Sequence, residues 1–193
     1  MNDSSTTWSQ KVSAIPSDDL KRSSVLVQPD KNESLPRIGL VGDTYTILVT
    51  GADTAGRFCV IDMHIPPGGG PPPHRHDFEE TFIILEGQIA TTFRGEHSVA
   101  RTGETVNIPA NGPHQFRNSS ANPVRMLCIC SPAGQENFFR EVGIPVATRT
   151  NPPPHSTKRN RRHSEPNLKD SPRNIGRKYF DMHEISRGFQ NEV

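Results

Sequence analysis

His74 and His76 stand two apart in the segment PPGGGPPPHRHDFEETFIILEG, Glu80 follows after three more residues, and a third histidine, His114, opens the stretch HQFRN. Residues two apart on a strand project from one face. Both imidazoles of the first pair are therefore expected to point the same way, and a bend in the strand would return the Glu80 carboxylate to them. Three neutral imidazoles and one carboxylate suit a divalent transition metal and leave one or two octahedral positions open. An ion held in that way can polarise a substrate oxygen, bind O2, or lower the pKa of a water.

Such groups need rigid carriers, and the chain supplies short runs rich in Val, Ile, Thr and Phe, punctuated by glycine and proline. Pro and Gly number 18 and 15 of 193 residues, about 17% against a usual ~12%, which is the pattern of an all-β domain. Candidate strands are Val25–Gln28, Thr44–Thr50, Arg57–Ile65, His74–His76, Thr81–Leu85, Gln88–Phe93, His97–Ala100, Thr105–Ile108, His114–Asn118 and Val124–Ser131. Their spacing of about ten residues suggests a sandwich or barrel. Gly51 to Gly56, Glu86-Gly87 and Arg94-Gly95 provide turns. One helix is predicted, over Gly134–Val142, ended by Gly143 as a C-cap glycine and by Pro145.

The apolar residues are concentrated in the middle of the chain. Val25 to Ala147 holds 59 residues from Ala, Val, Ile, Leu, Met, Phe, Trp, Cys and Gly among 123, and the other 70 residues hold 15, so a single core is expected there. The predicted organisation is a polar N-terminal extension over residues 1–24, one β domain over 25–147, a disordered basic, Pro-rich linker over 148–174, and a segment over 175–193 that can be helical. In that last segment Tyr179, Met182, Ile185 and Phe189 fall at helical spacing. No apolar run is long enough to span a bilayer, and the first residues lack the continuous apolar stretch of a signal peptide; a cytoplasmic protein is expected. The net charge of +1 hides a basic tail, whose run Lys158 to Arg162 leaves nuclear import as the alternative. Without aromatic interleaving, that run is read as solvated linker rather than a nucleic-acid contact. Arg161 to Pro166, reading RRHSEP, would also suit a basophilic kinase.

The pattern Gly68, five residues, His74-x-His76, three residues, Glu80, six residues, Gly87, followed by Gly103, five residues, Pro109, then His114, three residues, Asn118, resembles the two motifs of the cupin superfamily. In one place it departs: Asn111 stands where the second motif has glycine, with Gly112 one residue later. Asn tolerates the left-handed conformation, so the turn is expected to survive with His114 slightly re-aimed. The resemblance covers roughly Val25 to Ala147 and is to the small, single-domain, quercetin-dioxygenase-like members. It implies a jelly-roll β-barrel with His74, His76, Glu80 and His114 as ligands of a metal inside it: Fe2+ first, with Mn2+, Ni2+, Co2+ or Zn2+ as alternatives. It also implies a homodimer.

Alternation sends Phe82 and Ile84 inward with Glu80, and Phe116 inward with His114 while Arg117 points away. Met126 faces inward on the last strand with Cys128 and Cys130. The expected substrate pocket, lined by Phe82, Ile84, Phe116 and Met126, is apolar and aromatic, and no Lys or Arg in either motif strand shares the ligand face. A phenolic, polyketide-like or other apolar oxygenated metabolite fits such a wall better than a dicarboxylate does. The expected activity is that of an oxidoreductase, an O2-dependent dioxygenase or oxidase. Two alternatives stand beside it. One is an isomerase, cyclase or decarboxylase using the ion as a Lewis acid, and the other is a non-catalytic small-ligand-binding protein. Cys59, Cys128 and Cys130 are too few and too irregular for a disulfide framework; reduced thiols are expected, with Cys128 and Cys130 read as small apolar core residues. His64 is read as a structural histidine, Asp77 and Glu79 as facing solvent or a subunit interface, and His97 as a turn residue.

Overall fold

A computed structural model describes residues 15–151; residues 1–14, the expected linker beyond Asn151 and the segment 175–193 lie outside the described residues. In chain order the elements are β1 (Arg37–Leu40), β2 (Asp43–Val49), α1 (Gly51–Thr54), β3 (Cys59–Ile65), β4 (Glu79–Glu86), β5 (Gln88–Phe93), β6 (Glu96–Arg101), β7 (Thr105–Ile108), β8 (His114–Arg117), β9 (Val124–Ser131), α2 (Gln135–Val142) and β10 (Ile144–Pro145). They make a mostly antiparallel jelly-roll barrel. One sheet has seven strands in the order β10-β1-β2-β3-β9-β4-β7, and the other has three in the order β6-β5-β8.

The period-2 pattern of the long strands dictates which side chains fill the space between the sheets. On β9, Val124, Met126, Cys128 and Cys130 are buried while the residues between them are half-buried. On β4, Glu80, Phe82 and Ile84 are buried in the same alternation. Register then stacks these rows into rungs. Glu80, Phe82 and Ile84 lie opposite Cys130, Cys128 and Met126, and Cys59, Ile61, Met63 and Ile65 lie opposite Cys130, Cys128, Met126 and Val124. The outward residues of β3 serve differently. Asp62, fully buried, accepts two bonds from Arg125 (Nε at 3.1 Å, Nη2 at 2.8 Å) and one from Arg149 at 3.3 Å. Residues just past the expected domain end therefore pack on the sheet's outer face.

Three expectations for the elements are corrected. Val25–Gln28 forms no strand; Leu26 is 85% exposed, and no neighbouring strand pairs with the segment. The strand beside β2 is β1 instead, whose Ile38 and Gly39 pair with Pro145 and Ile144 of the edge strand β10, so the proline expected only to stop the helix sits in an edge strand, where its missing donor is tolerated. The predicted strand His74–His76 is reduced to an isolated bridge between His74 and His114. The expected turn at Gly51 to Gly56 contains the short helix α1, whose capping box has Thr50 Oγ1 accepting from Asp53 N and Asp53 Oδ2 accepting from Thr50 N at 2.8 Å. Thr50→Ala is expected to lower the unfolding free energy by about 1 kcal/mol, read as a shifted urea midpoint at unchanged slope.

The predicted helix is present as α2, yet Gly143 does not end it in the left-handed region; its φ is −90°. Glycine is required there for space, because a Cβ would collide with Ile38 Cγ2 and come within 2.7 Å of Phe139 O. Helix α2 thus lies close on β1, and Phe139 stacks on Tyr45 at 4.3 Å between ring centroids. Its N-terminus, which begins at a glycine without a side-chain cap, is held by Glu136. That carboxylate accepts from Gly134 N and from Gly51 N, both at 2.8 Å.

Candidate metal centre

The four expected ligands come from different parts of the barrel. His74 and His76 lie in the loop before β4, Glu80 is near the start of β4 in the large sheet, and His114 opens β8 in the small one. Reciprocal backbone bonds, His74 N to His114 O and His114 N to His74 O, both 2.9 Å, tie the loop to β8 and bring the imidazoles together. Asn111 takes the left-handed conformation with φ of +65°, as its tolerance predicts. Gly112 is needed for a different reason: a Cβ there would collide with the Phe93 ring. All four candidate ligands are buried, at 3–4% exposure, and form one cluster.

Hydrogen bonds determine which ring nitrogen each histidine offers. His74 Nδ1 lies 2.9 Å from Pro72 O, His76 Nδ1 3.0 Å from Phe78 O, and His114 Nδ1 2.9 Å from Gly112 O. A carbonyl oxygen can only accept, so each Nδ1 carries the hydrogen, and in the neutral ring the Nε2 lone pair is left to bind. Two of these Nε2 atoms, of His76 and His114, lie 3.1 Å from Glu80 Oε2. Unprotonated ring nitrogens and a carboxylate oxygen repel at that separation, so the arrangement calls for positive charge among them, either protons or a metal ion. Burial pushes the Glu80 carboxyl up, but the contacts with His114 and His76 outweigh it and hold the group well below the usual carboxylate range. The His74 imidazole is pushed down to about 4, by burial first and then by His114, which keeps it a neutral donor at neutral pH.

The donor set fits a divalent transition ion. Adjacent corners of an octahedron with bonds of ~2.1 Å are about 3.0 Å apart, close to the 3.1 Å between Glu80 Oε2 and each of the two ring nitrogens. The supporting contacts that orient such ligands are also present. Phe78 stacks on His76 with centroids 3.7 Å apart. Glu79 points outward on β4 and is exposed, as expected, but it is not idle: it accepts from Asn107 Nδ2 and Ala110 N, both at 3.1 Å, and so anchors the loop that leads to His114.

Phe82 follows Glu80 as the next inward residue of β4, and Phe116 follows His114 as the next inward residue of β8. Phe82 and Phe116 meet edge to face at 5.3 Å, and with Ile84 and Met126 they are buried in the core; Arg117 is exposed. His64 does not join the ligands. It lies on the outer face in a groove with Asp62, Glu86, Arg125 and Arg149, consistent with a structural role. His97 is exposed and bonded through Nδ1 to Thr92 Oγ1 at 2.9 Å.

Two features escaped the sequence reading. Cys128, expected to be a plain core residue, has its thiol 3.2 Å from Glu80 Oε1; inward alternation is the only sequence signal for it. Asp43 is fully buried at the start of β2, accepting from Tyr45 Oη at 3.1 Å and Gly70 N at 3.2 Å. Burial pushes its carboxyl up to about 7, against the lowering effect of those two bonds.

Comparison with known proteins bears on the same residues. A family model described as the cupin domain matches residues 61–130, a span containing all four ligands. The chain is 32% identical over 108 residues to quercetin 2,3-dioxygenase of Bacillus subtilis (strain 168), covering 55% of this chain and 32% of that protein. The matched stretch is therefore about a third of the Bacillus protein's length. It is 31% identical over 106 residues to the polyketide synthase CurC of Streptomyces cyaneus, covering 53% of this chain and 68% of that one. Among solved structures, an RmlC-like cupin from Shewanella frigidimarina superposes with a TM-score of 0.50 at 15% identity, covering 62% of this chain and 99% of that chain. Among the described residues, no helix is long and apolar enough to cross a membrane.

Proposed function

The chain belongs to the cupin superfamily, and from that premise we propose that it is a metal-dependent oxidoreductase, an O2-dependent dioxygenase or oxidase acting on a small phenolic, polyketide-like or other apolar oxygenated metabolite. The observation that carries the reading is the joining of a redox-capable donor set to an apolar wall. His74, His76 and His114 each present Nε2, Glu80 presents Oε2, and the next inward residues on the two ligand strands are the paired rings of Phe82 and Phe116, with Ile84 and Met126 buried further along.

An iron(II) ion held by these four residues would supply sites at which O2 and a substrate oxygen meet. The chain's own residues do the rest. The three Nδ1–H groups bonded to backbone carbonyls fix the imidazole planes and keep Nε2 free of protons. The aromatic pair would border a substrate ring admitted to the site, and its own edge-to-face geometry is the kind that suits aromatic guests. The Glu80 carboxylate lowers the net positive charge of the site by one, which favours the more oxidised state of a redox ion. The likeness to a quercetin 2,3-dioxygenase and to a polyketide synthase protein supports the substrate class.

The test is O2 uptake by the iron(II)-loaded full chain with a panel of phenolic and polyketide-like compounds. Expected is consumption of O2 in fixed proportion to substrate lost. Turnover without O2 at the aerobic rate would sink the oxygenase reading, and full activity with redox-inert zinc(II) would transfer the site to Lewis-acid chemistry, an isomerase, cyclase or decarboxylase.

A further inference from the structure

The Glu80 carboxylate has two faces. Oε2 looks toward His76 and His114, whereas Oε1 looks toward sulfur, with Cys128 Sγ at 3.2 Å. Cys130 Sγ lies 3.4 Å from Cys128 Sγ. Strand register explains the grouping: Cys130 on β9 is flanked directly by Glu80 on β4 and by Cys59 on β3, and Cys128 is the next inward residue along β9. All three cysteines are free and at most 1% exposed. A row of polar, polarisable groups thus runs through the barrel interior, from Glu80 through Cys128 and Cys130 to Cys59. Packing alone asks for apolar volume at these positions, which valine or alanine would fill. It does not ask for thiols set against a carboxylate and against each other.

We propose that Cys128 and Cys130, with Glu80 Oε1, form a second metal site, one that selects a thiophilic cation such as cadmium(II) or copper(I). The donor atoms of Glu80, Cys128 and Cys130 all lie within 4.8 Å of one another. Sulfur ligands of a four-coordinate zinc ion with bonds of ~2.3 Å are about 3.8 Å apart, against 3.4 Å between these two sulfurs, and a larger soft cation such as cadmium(II) requires the cluster to open further. Thiolates prefer soft ions, and the imidazole and carboxylate set prefers borderline ones; the two sides of Glu80 therefore sort cations by softness. Each S–M bond forms as the thiol proton leaves to solvent, so the sulfur donors change neither their oxidation state nor their count. The site does not depend on the oxygenase reading, because it uses the face of Glu80 turned away from the histidines.

The experiment is a titration of cadmium(II) into the reduced, metal-free full chain, read by ultraviolet thiolate-to-cadmium charge-transfer absorption and by the metal retained after gel filtration. Expected is a charge-transfer band that saturates, with two cadmium ions retained per chain, one at each site. The band should persist in His114→Ala, which cripples only the imidazole site. It should vanish in the double variant Cys128→Ser, Cys130→Ser, which should still retain one cadmium. The wild-type result is decisive without any variant: no charge-transfer band from a chain whose three thiols all titrate after denaturation overturns the proposal. A band that survives the double variant also overturns it, by placing the metal on Cys59 alone. Loss of O2 uptake with the cadmium band intact would count against the oxygenase reading and leave the sulfur site standing.

Discussion

Replacing Glu80 with alanine is expected to leave the purified protein with almost no metal after dialysis, where the wild type retains close to one equivalent of its divalent ion by elemental analysis. Glu80 is the one anionic member of the imidazole cluster. Its Oε2 sits 3.1 Å from two ring nitrogens at once, so its loss removes both a donor and the charge that offsets the ion. Loss of a merely supporting partner costs roughly 10–100-fold in affinity, and loss of this ligand is expected to exceed that. Glu80→Gln separates the two contributions: it keeps the shape and an oxygen donor but not the charge, so it is expected to bind between the two. Far-ultraviolet dichroism guards against simple unfolding. Stoichiometric metal in dialysed, folded Glu80→Ala would remove Glu80 from the ligand set.

The second large effect concerns Asp43, far from any ligand in sequence. Its carboxyl is raised in the folded chain to about 7, against an unfolded value near 3.9. The folded state therefore binds a proton more tightly than the unfolded one. The stability this group contributes is fully present below about pH 4 and is lost as the pH rises through about 7. Over that window the change is on the order of 4 kcal/mol. Asparagine mimics the protonated acid: its oxygen can accept from Gly70 N and its amide can donate to Tyr45 Oη. Asp43→Asn is thus expected to flatten the curve and to be the more stable protein at neutral pH. Urea unfolding of both chains from about pH 4 to about pH 8, in chelator so that metal binding adds no pH dependence of its own, measures the difference. Parallel curves for the two proteins would refute the assignment.

How far the sequence could be read follows from the range of the interactions involved. Phe82, Ile84, Phe116 and Met126 were legible as inward because strand alternation is local and strict, and the imidazole cluster was legible because its members fall in short motifs. Strand β1 was not, since RIGL carries little β signal and becomes a strand only by pairing with β2 and with Ile144 and Pro145 across the chain. Val25–Gln28 failed in the converse way, with suitable residues and no partner. Gly143 was assigned the right place for a conformational reason when the cause is the approach of Ile38, a contact more than a hundred positions away. Cys128 and Asp43 show the same limit: a thiol beside a ligand carboxylate, or an acid under a glycine loop, is defined by what long-range packing brings to it.

The ligands are drawn from both sheets, since Glu80 belongs to the seven-stranded sheet and His114 to the three-stranded one, with His74 bridged to His114. Once an ion joins them, occupancy and fold become linked quantities, and an ion at a hundred times its Kd adds about 2.7 kcal/mol to unfolding. The durability of the chain then varies with its surroundings. Where free metal falls, an emptied barrel would open more often and be degraded sooner, so with an ion bound at this cluster the cell's pool of the protein would track that ion's supply.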